Sequence, residues 1–380
     1  MAESAPPRRK SCESCKTAKR RCDLAFPACS RCVSRNVQCV YPGRQMNADL
    51  DLVDVLSGLE LDASSNMGIV NMEIPSYISQ ELILQSTGPS PSPSLPAIIA
   101  SRLQFAMDIL QAAPRMMVTQ TQTPWCHSQL YRNGMPRVMQ DAFAACSLYM
   151  TKNTINAPVI LSIFDSRVND LISLPTPSSP LDLLARTHAL ILYQIMRLFD
   201  GDIRSRTAVE SLFPTLEYLA CTLMEHIYLP DPTTDTLLPS AIESVMTFWD
   251  DWIFQESARR TVLLTFYFMQ IYKTLQGKMP LYCDGRLGLV HAWYSSAHLW
   301  DARDAFDFAV AWTDKPHLVV QNGDFSGLLE VAKGEDVDLF GKMLLVTVLG
   351  VEKVKAWFYE RGSDLISIPA VTPPDALFEI

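Results

Sequence analysis

The chain has 380 residues, of which 48% are hydrophobic and 19% charged, so most of it can bury a large core. Its net charge of −9, taken over the whole chain, argues against nucleic-acid binding. The charge is unevenly distributed, however, because residues 1–44 carry +7, residues 45–101 carry −7 and residues 102–380 carry −9. No run of about eighteen apolar residues occurs, which excludes an ordinary membrane-spanning helix. The first residues lack the apolar centre of a secretory signal, so we expect a reducing compartment in which disulfides are not the default.

Six of the ten cysteines lie near the N-terminus with the spacing C-x2-C-x6-C-x6-C-x2-C-x6-C. They are Cys12, Cys15, Cys22, Cys29, Cys32 and Cys39. A structural zinc ion takes four thiolate or imidazole ligands, and the first histidine is His127. Two separate all-thiolate tetrahedra would need eight sulfurs, whereas two tetrahedra that share an edge need six. The composition therefore favours a binuclear cluster; a disulfide knot and a single zinc ion with spare thiols are the alternatives.

The segment CESCKTAKRRCDLAFPACSRCVSRNVQCVYP, residues 12–42, resembles the fungal Zn2Cys6 binuclear cluster family of transcription factors. The resemblance includes every cysteine spacing, together with Lys19, Asp23 and Pro27. It implies two zinc ions per chain, held by a small, irregular, zinc-stabilised module of two helices. By the same resemblance two cysteines bridge the ions and two further cysteines complete each site. The implied bridging pair is Cys12 with Cys29, and the completing pairs are Cys15 with Cys22 and Cys32 with Cys39.

The basic residues of this segment are too dense for so small a module without a partner of opposite charge, and DNA phosphates supply it. The resemblance implies a short helix from about residue 13 to residue 19 whose C-terminal end enters the major groove. Lys19 matches the family's base-reading lysine, which donates to guanine in a CGG-like triplet. Lys16 and Arg21 would meet phosphates, and Arg20 completes the predicted DNA-binding set. Lys16 stands where arginine is common in the family, which predicts fewer base contacts.

Residues 45–97 are predicted to be a linker that is first acidic and then rich in proline and serine. Acids alternate with leucine and valine from Asp49 to Asp62, which is also typical of disordered activation segments. A dimerising coiled coil is a further alternative, but Gly58 leaves fewer than two heptads. The linker could instead dock partly on the large domain.

Residues 98–380 are predicted to form a large all-α domain, because apolar residues recur with helical spacing and prolines fall between the periodic segments. The predicted helices cover residues 136–151, 158–173, 181–199, 205–228, 240–252, 256–275, 294–311 and 337–359. Leu318 to Gln321 is the one brief strand candidate.

Residues 249–272 resemble a segment of the family's C-terminal regulatory region, as do residues 190–202 and 135–149, and the match is strongest to regulators beside secondary-metabolite genes. We expect Trp249 and Trp252 to anchor a helix pair. Glu256 and Arg260, four residues apart, should form an ion pair on the helix surface. The segment is either a site that senses a ligand or partner, or ordinary core packing with a structural salt bridge.

No enzyme signature occurs in the chain: G-x-S-x-G, H-E-x-x-H, Walker A and G-x-G-x-x-G are all missing. Cys126 and His127 are adjacent, which alone does not make a catalytic dyad. Cys146, Cys221 and Cys283 lie in apolar patterns typical of buried thiols. The remaining histidines have the surroundings of core or surface residues rather than ligands; these are His188, His226, His291 and His298.

These observations predict a nuclear transcription regulator, not an enzyme, that binds GC-rich double-stranded DNA through its zinc module. The helical domain would control its activity and contact the transcription machinery, and a homodimer could bind paired triplets. By the resemblance, its targets would be a secondary-metabolite gene cluster. The alternatives are a zinc-module adaptor that contacts protein or RNA, and an enzyme carried on a DNA-tethering module.

Overall fold

The computed structural model describes residues 13–22, 31–32, 35, 97–199, 203–229, 238–239, 241–277 and 286–365. The chain divides into two units, residues 1–51 and residues 52–380. Several predictions fall outside the described residues: those for the acidic spacer, for the ligands Cys12, Cys29 and Cys39, and for Cys283. They stay predictions, as do the domain boundaries after residues 44 and 97.

In the first unit, the short helix α1 spans Glu13–Thr17, and Arg31 and Cys32 also have helical conformation. Helix α1 ends two residues before the predicted position, because Ala18 and Lys19 form a turn and do not continue the helix. The helix therefore places Lys19 just beyond its C-terminal end.

The second unit is mostly helical in its described part, which confirms the predicted class of the large region. Its helices before the first strand are α2 (Ala97–Gln120), α3 (Arg137–Met150), α4 (Ala157–Ser173), α5 (Pro180–Phe199), α6 (Ile203–Ser211), α7 (Phe213–Met224) and α8 (Ile242–Leu275). The later ones are α9 (Ala297–Trp300), α10 (Ala305–Asp314), α11 (Ser326–Val331), α12 (Leu339–Leu349) and α13 (Val351–Glu360), with short 3₁₀ turns at Arg286–Leu289 and Gly334–Asp336. None of the helices in the described part has both the length and the apolar character needed to cross a bilayer.

Helix α8 is one continuous helix of 34 residues where the sequence predicted two. Nothing between the two predicted segments breaks a helix, since residues 253–255 are Ile, Phe and Gln. From Trp252 to Met269 almost every side chain is buried, polar ones included, which is the pattern of a helix enclosed by neighbours on all sides. It packs against α5, α7, α10 and the first strand. Helix α8 is thus the central element of this unit.

Two other predicted helices are each divided in the structure. The segment 205–228 breaks at Leu212, and Pro214 lies in the first turn of α7, where proline is tolerated because its missing N–H would have no helical partner. The segment 337–359 breaks at Gly350, whose φ of +91° favours glycine. Arg102 donates there to the backbone oxygens of Thr347 and Val348, at 3.3 and 3.1 Å. It thus provides hydrogen-bond partners for carbonyl groups at the C-terminal end of α12, which have none within the helix.

The all-α expectation needs one correction, because two short antiparallel strands also occur. Strand β1 (Ala292–Tyr294) pairs with β2 (Val319–Gln321), with Trp293 opposite Val320. The second strand coincides with the predicted strand candidate. The first lies at the start of the predicted helix 294–311, which the structure replaces by β1, α9 and α10. The pair closes over the middle of α8, where it buries Trp293 and Tyr294.

Candidate nucleic-acid interface

Helix α1 ends in a turn that fixes the backbone of Lys19. The Arg20 N–H donates to the Cys15 oxygen at 3.0 Å, and the Lys19 N–H donates to the Lys16 oxygen at 3.1 Å. These two bonds are the 6→1 and 5→2 pair of a Schellman motif, whose defining residue adopts the left-handed conformation. That residue is Lys19, with φ of +47°. The motif usually has glycine here, because a side chain in this conformation costs roughly 1–2 kcal/mol.

The predicted DNA-binding cations all lie on or just after this helix and are exposed: Lys16, Lys19, Arg20 and Arg21. Among the described residues, no ion pair within 4.0 Å neutralises any of these four. Four exposed positive charges over six residues repel one another, and a bound anion would offset this repulsion. The geometry therefore presents a compact cationic surface of the kind that binds phosphate.

Three of the six predicted zinc ligands are described, and two of them are buried. Cys15 and Cys32 are 1% and 2% exposed, and Cys22 is half-buried. Cys15 and Cys32 both have helical conformation, so their side chains can point inward while the side chains of neighbouring cations face solvent. Buried cysteine sulfurs are a type of donor that fits zinc. On α1, the predicted ligand Cys15 is thus buried while the predicted DNA contact Lys16 is exposed.

In the second unit, a group of charged side chains on and around α8 is buried and paired. Arg260 is fully buried and Glu256 accepts from its Nε at 2.8 Å, so the predicted ion pair forms. Its predicted location is wrong, because both side chains are at the centre of the unit and not on a helix surface. Burial follows from α8 being enclosed on all sides, which the spacing of two residues cannot reveal.

Arg260 connects four parts of the chain. Its guanidinium donates to the Pro124 oxygen at 3.0 Å and to the Tyr294 oxygen at 2.9 Å, and it also bonds Asp338, the N-cap residue of α12. The Trp300 ring stacks on it, 3.6 Å from the ring centroid. Arg259 adds a second cation on Glu256, at 3.0 Å. Sequence reasoning missed Asp338, whose only local signal is its N-cap position 78 residues beyond Arg260.

Burial raises the pKa of Asp338, and the Arg260 charge opposes that shift. The Gly341 N–H donates to the same carboxylate at 2.7 Å, so it too favours the charged form against the effect of burial. The network is a structural connection, and it favours core packing with a buried salt bridge over a ligand-sensing site for residues 249–272. We call the four side chains Glu256, Arg259, Arg260 and Asp338 the buried charge network.

Trp249 and Trp252 lie in an aromatic cluster with α10, in agreement with the predicted helix pair. Trp252 is 5.1 Å from Phe308 between ring centroids, and Phe308 is 5.3 Å from Trp312. His127 reaches the same cluster, 5.1 Å from Trp300. These rings join α8 to α10.

The adjacent Cys126 and His127 do not form a nucleophile–base pair. The Cys126 sulfur contacts the backbone oxygen of His127 at 3.9 Å, and burial raises the pKa of this thiol far above its usual range. Burial and then the Arg260 and Arg132 charges lower the pKa of His127 to about 3. A neutral imidazole beside an un-ionised thiol is typical of core packing.

The other thiols are of two kinds. Cys146 is buried, as predicted, and burial raises the pKa of its thiol to about 12. The prediction is wrong for Cys221, which is exposed on α7. Its apolar neighbours in sequence face the core, whereas position 221 falls on the opposite side of the helix.

His188 is buried in a chain of hydrogen bonds that defines its protonation. Its Nδ1 lies 2.9 Å from the Tyr131 hydroxyl and its Nε2 lies 2.7 Å from the Thr261 hydroxyl. Since Thr261 donates to the Ser257 oxygen at 2.6 Å, it accepts from Nε2–H, and Nδ1 accepts from Tyr131. Burial lowers the pKa of His188 to about 3, so the ring is a neutral core residue and not a ligand.

Comparison with known proteins identifies the basic segment. Residues 10–48 match the model of the fungal Zn(2)-Cys(6) binuclear cluster domain. The chain is 27% identical over 395 aligned residues to the transcription factor gsfR2 of Penicillium aethiopicum, covering 92% of this chain and 94% of that protein. It is 49% identical over 48 residues to the transcription factor pgmR of Aspergillus terreus (strain NIH 2624 / FGSC A1156), covering 11% of this chain and 26% of that protein. No solved structure matches the chain.

Proposed function

We propose that this transcription regulator, whose residues 10–48 form a fungal Zn(2)-Cys(6) binuclear cluster domain, binds GC-rich duplex DNA that contains CGG-like triplets. The observation that carries the proposal is the turn after α1, which places an exposed lysine in a conformation suited to glycine. A strained residue persists where its side chain has a task, and a cation beyond a helix end can reach a base edge in the major groove. Lys19 is therefore the residue that we assign to base recognition.

The other exposed cations would hold the module on the DNA backbone. Lys16 lies within α1 and Arg21 lies after the turn, so we assign both to phosphates on either side of Lys19. Arg20 is exposed beside them and adds to the same surface. Such contacts fix orientation and register and add a salt-dependent affinity, without specifying sequence.

Domains of this family bind two zinc ions, and here the ions would hold the fold of a module within residues 10–48. We assign Cys12 and Cys29 as shared ligands. Cys15 and Cys22 would complete one site, and Cys32 and Cys39 the other. The burial of Cys15 and Cys32 supports their role as ligands, because a buried cysteine is available to an interior ion and not to solvent.

At the level of the cell, we infer that the protein acts in the nucleus and is not an enzyme. Binding as a homodimer to paired triplets would raise both affinity and selectivity, since half-site spacing adds information that one triplet lacks. The helical unit would control activity and recruit the transcription machinery. The similarity to gsfR2 and pgmR, both named transcription factors, supports the regulatory role, and control of a secondary-metabolite gene cluster is our proposal for the target.

Fluorescence anisotropy of the zinc-loaded full chain on labelled duplexes tests the proposal. We expect Lys19→Ala to weaken binding to a CGG duplex by about 1–3 kcal/mol and to remove the preference over a scrambled duplex. Lys16→Ala should weaken binding to both duplexes alike and lower the salt slope by about 1. Lys355→Ala, an exposed lysine of α13, is the matched control and should change neither quantity.

The proposal fails if the unaltered chain binds CGG and scrambled duplexes equally, or if Lys19→Ala leaves the preference intact. Equal or tighter binding to single-stranded RNA would favour the adaptor alternative instead. Circular dichroism and zinc content of each variant verify that the module remains folded.

A further inference from the structure

A groove of about 590 Å³ runs along the outward side of α10, beside α9. Phe306 and Val310 project into it from one side of α10, four residues apart, and they are 67% and 44% exposed. Small residues line its base, where Ala302 and Ala311 are buried. The groove therefore combines an apolar floor with room for several side chains.

The exposure of Phe306 and Val310 is not explained by the fold. Helix α10 already has a core-facing side, formed by Phe308 and Trp312 in the aromatic cluster with α8. A second apolar pair on the solvent side adds nothing to that packing. Exposed apolar side chains that line a groove with a polar border are typical of a surface that another molecule covers, whereas an exposed pair outside a groove is not.

The border of the groove is acidic. Its carboxylates are Asp301, Asp307, Asp314 and Glu335, against which stand Arg303 and Lys315. Within the described ranges of the chain, none of the four carboxylates has an ion-pair partner within 4.0 Å. The border thus carries a net charge of about −2 that is free to meet cations from outside.

We propose that this groove binds a basic amphipathic helix of a partner protein. The apolar face of such a helix, with side chains three and four residues apart, would cover Phe306 and Val310 as in other helix-in-groove complexes. Its lysines and arginines would meet the four carboxylates of the border. A nucleic acid is the wrong occupant because its phosphates would be repelled, and an acidic helix is disfavoured for the same reason. The inference does not depend on DNA recognition by the zinc module.

A displayed library of random 16-residue peptides, selected on the zinc-loaded full chain, tests this without assuming a sequence. Enriched peptides should be net positive, with leucine or phenylalanine at helical spacing. The same peptides, synthesised with a fluorophore, should bind the doubly substituted Phe306→Ser/Val310→Ser chain at least about tenfold more weakly. The affinity of the charge-reversed Asp307→Lys/Asp314→Lys chain for these peptides should fall by a similar factor, and this fall should be smaller in high salt.

Two matched controls locate the effect. Ile155→Ser/Val159→Ser removes another exposed apolar pair, and Asp170→Lys reverses a charge elsewhere; both should bind within about twofold of the unaltered chain. Tryptophan fluorescence verifies folding of all variants. The proposal is overturned if enriched peptides are neutral or acidic, if both groove variants bind them unchanged, if the controls lose as much as the groove variants, or if no peptide is enriched. DNA affinity should be the same in every variant, which separates this result from the proposed function.

Discussion

The exposed cations on and after α1 in the first unit and the central arginine of the second unit have opposite environments. In the first, Lys16, Lys19 and Arg21 are exposed within six residues of one another. In the second, Arg260 is fully buried, bonded to two carboxylates and two backbone oxygens, and stacked on an indole. The first group leaves its charge available to a partner, whereas the buried charge network satisfies its own charges internally.

The difference shows which contacts each unit needs for its stability. The exposed cations can be removed without leaving an uncompensated charge behind, so their loss should affect binding and little else. Removal of a buried cation strands the carboxylates that face it, so its loss should affect folding. Substitution of a cation should thus affect binding at the exposed positions of the first unit and folding at the buried position 260 of the second.

The largest expected effect sharpens this comparison at the level of whole units. Removal of zinc with a chelator should lower DNA affinity by about 1,000-fold or more, to the level of non-specific binding, because metal binding and folding of so small a module are coupled. The tryptophan fluorescence should remain native, since all seven tryptophans lie between residues 125 and 357. Metal analysis of the untreated protein should give two zinc ions per chain.

The Cys32→Ser substitution removes one predicted zinc ligand. It should therefore abolish DNA binding, as chelation does, while the tryptophan fluorescence stays native. Loss of the native fluorescence together with the metal would contradict the separation of the two units. One zinc ion per chain would contradict the binuclear cluster itself.

The second effect tests the buried charge network. Arg260→Met should lower the free energy of unfolding by about 3–5 kcal/mol, because Glu256 and Asp338 lose their shared partner in a dry interior. Urea unfolding followed by tryptophan fluorescence measures the change. The matched control is Arg137→Met, which removes a pair with Asp141 at 3.2 Å whose arginine is 75% exposed; it should cost less than about 1 kcal/mol. Equal losses in the two variants would remove the contrast between buried and exposed cations.

The third effect follows from the buried neutral imidazoles. His188 and His127 have pKa values lowered to about 3, while the unfolded chain takes up these protons near pH 6.5. Below pH 6.5 the unfolded state binds more protons, so the free energy of unfolding should fall by about 1.4 kcal/mol per pH unit for each histidine. Urea midpoints between pH 7.5 and 5.5 measure the slope before carboxylates begin to titrate.

His188→Gln is the control for this slope. It should lower stability at pH 7.5, since Tyr131 and Thr261 lose the ring between them, yet it should remove about half of the pH dependence. A slope unchanged by this substitution would show that other groups are responsible for it.

Much of this contrast was predictable from local sequence, but not where it depends on long-range packing. The helices α3, α4 and α5 were predicted to within about two residues, because their apolar spacing and bounding prolines are local signals. The continuity of α8 and the strand β1 were missed, since both depend on partners distant in sequence. The Glu256–Arg260 pair was predicted from its spacing, but its burial depends on Asp338 and Trp300, which no local pattern connects to it. The DNA-binding residues came from a resemblance, and the left-handed turn at Lys19 added what neither spacing nor composition could show.

The smallest effect separates the backbone of Lys19 from its side chain. Lys19→Gly removes the cation but relieves the left-handed strain, so the module should hold its zinc more tightly by roughly 1 kcal/mol, or about fivefold in competition with a chelator. Its affinity for a CGG duplex should fall as far as in Lys19→Ala, which keeps the strain because alanine also has a Cβ. Lys16→Gly, within α1, should weaken zinc retention instead. If Lys19→Gly and Lys19→Ala retained zinc equally, the turn would carry no strain, and the exposed lysine would lose the structural sign that marks it as functional.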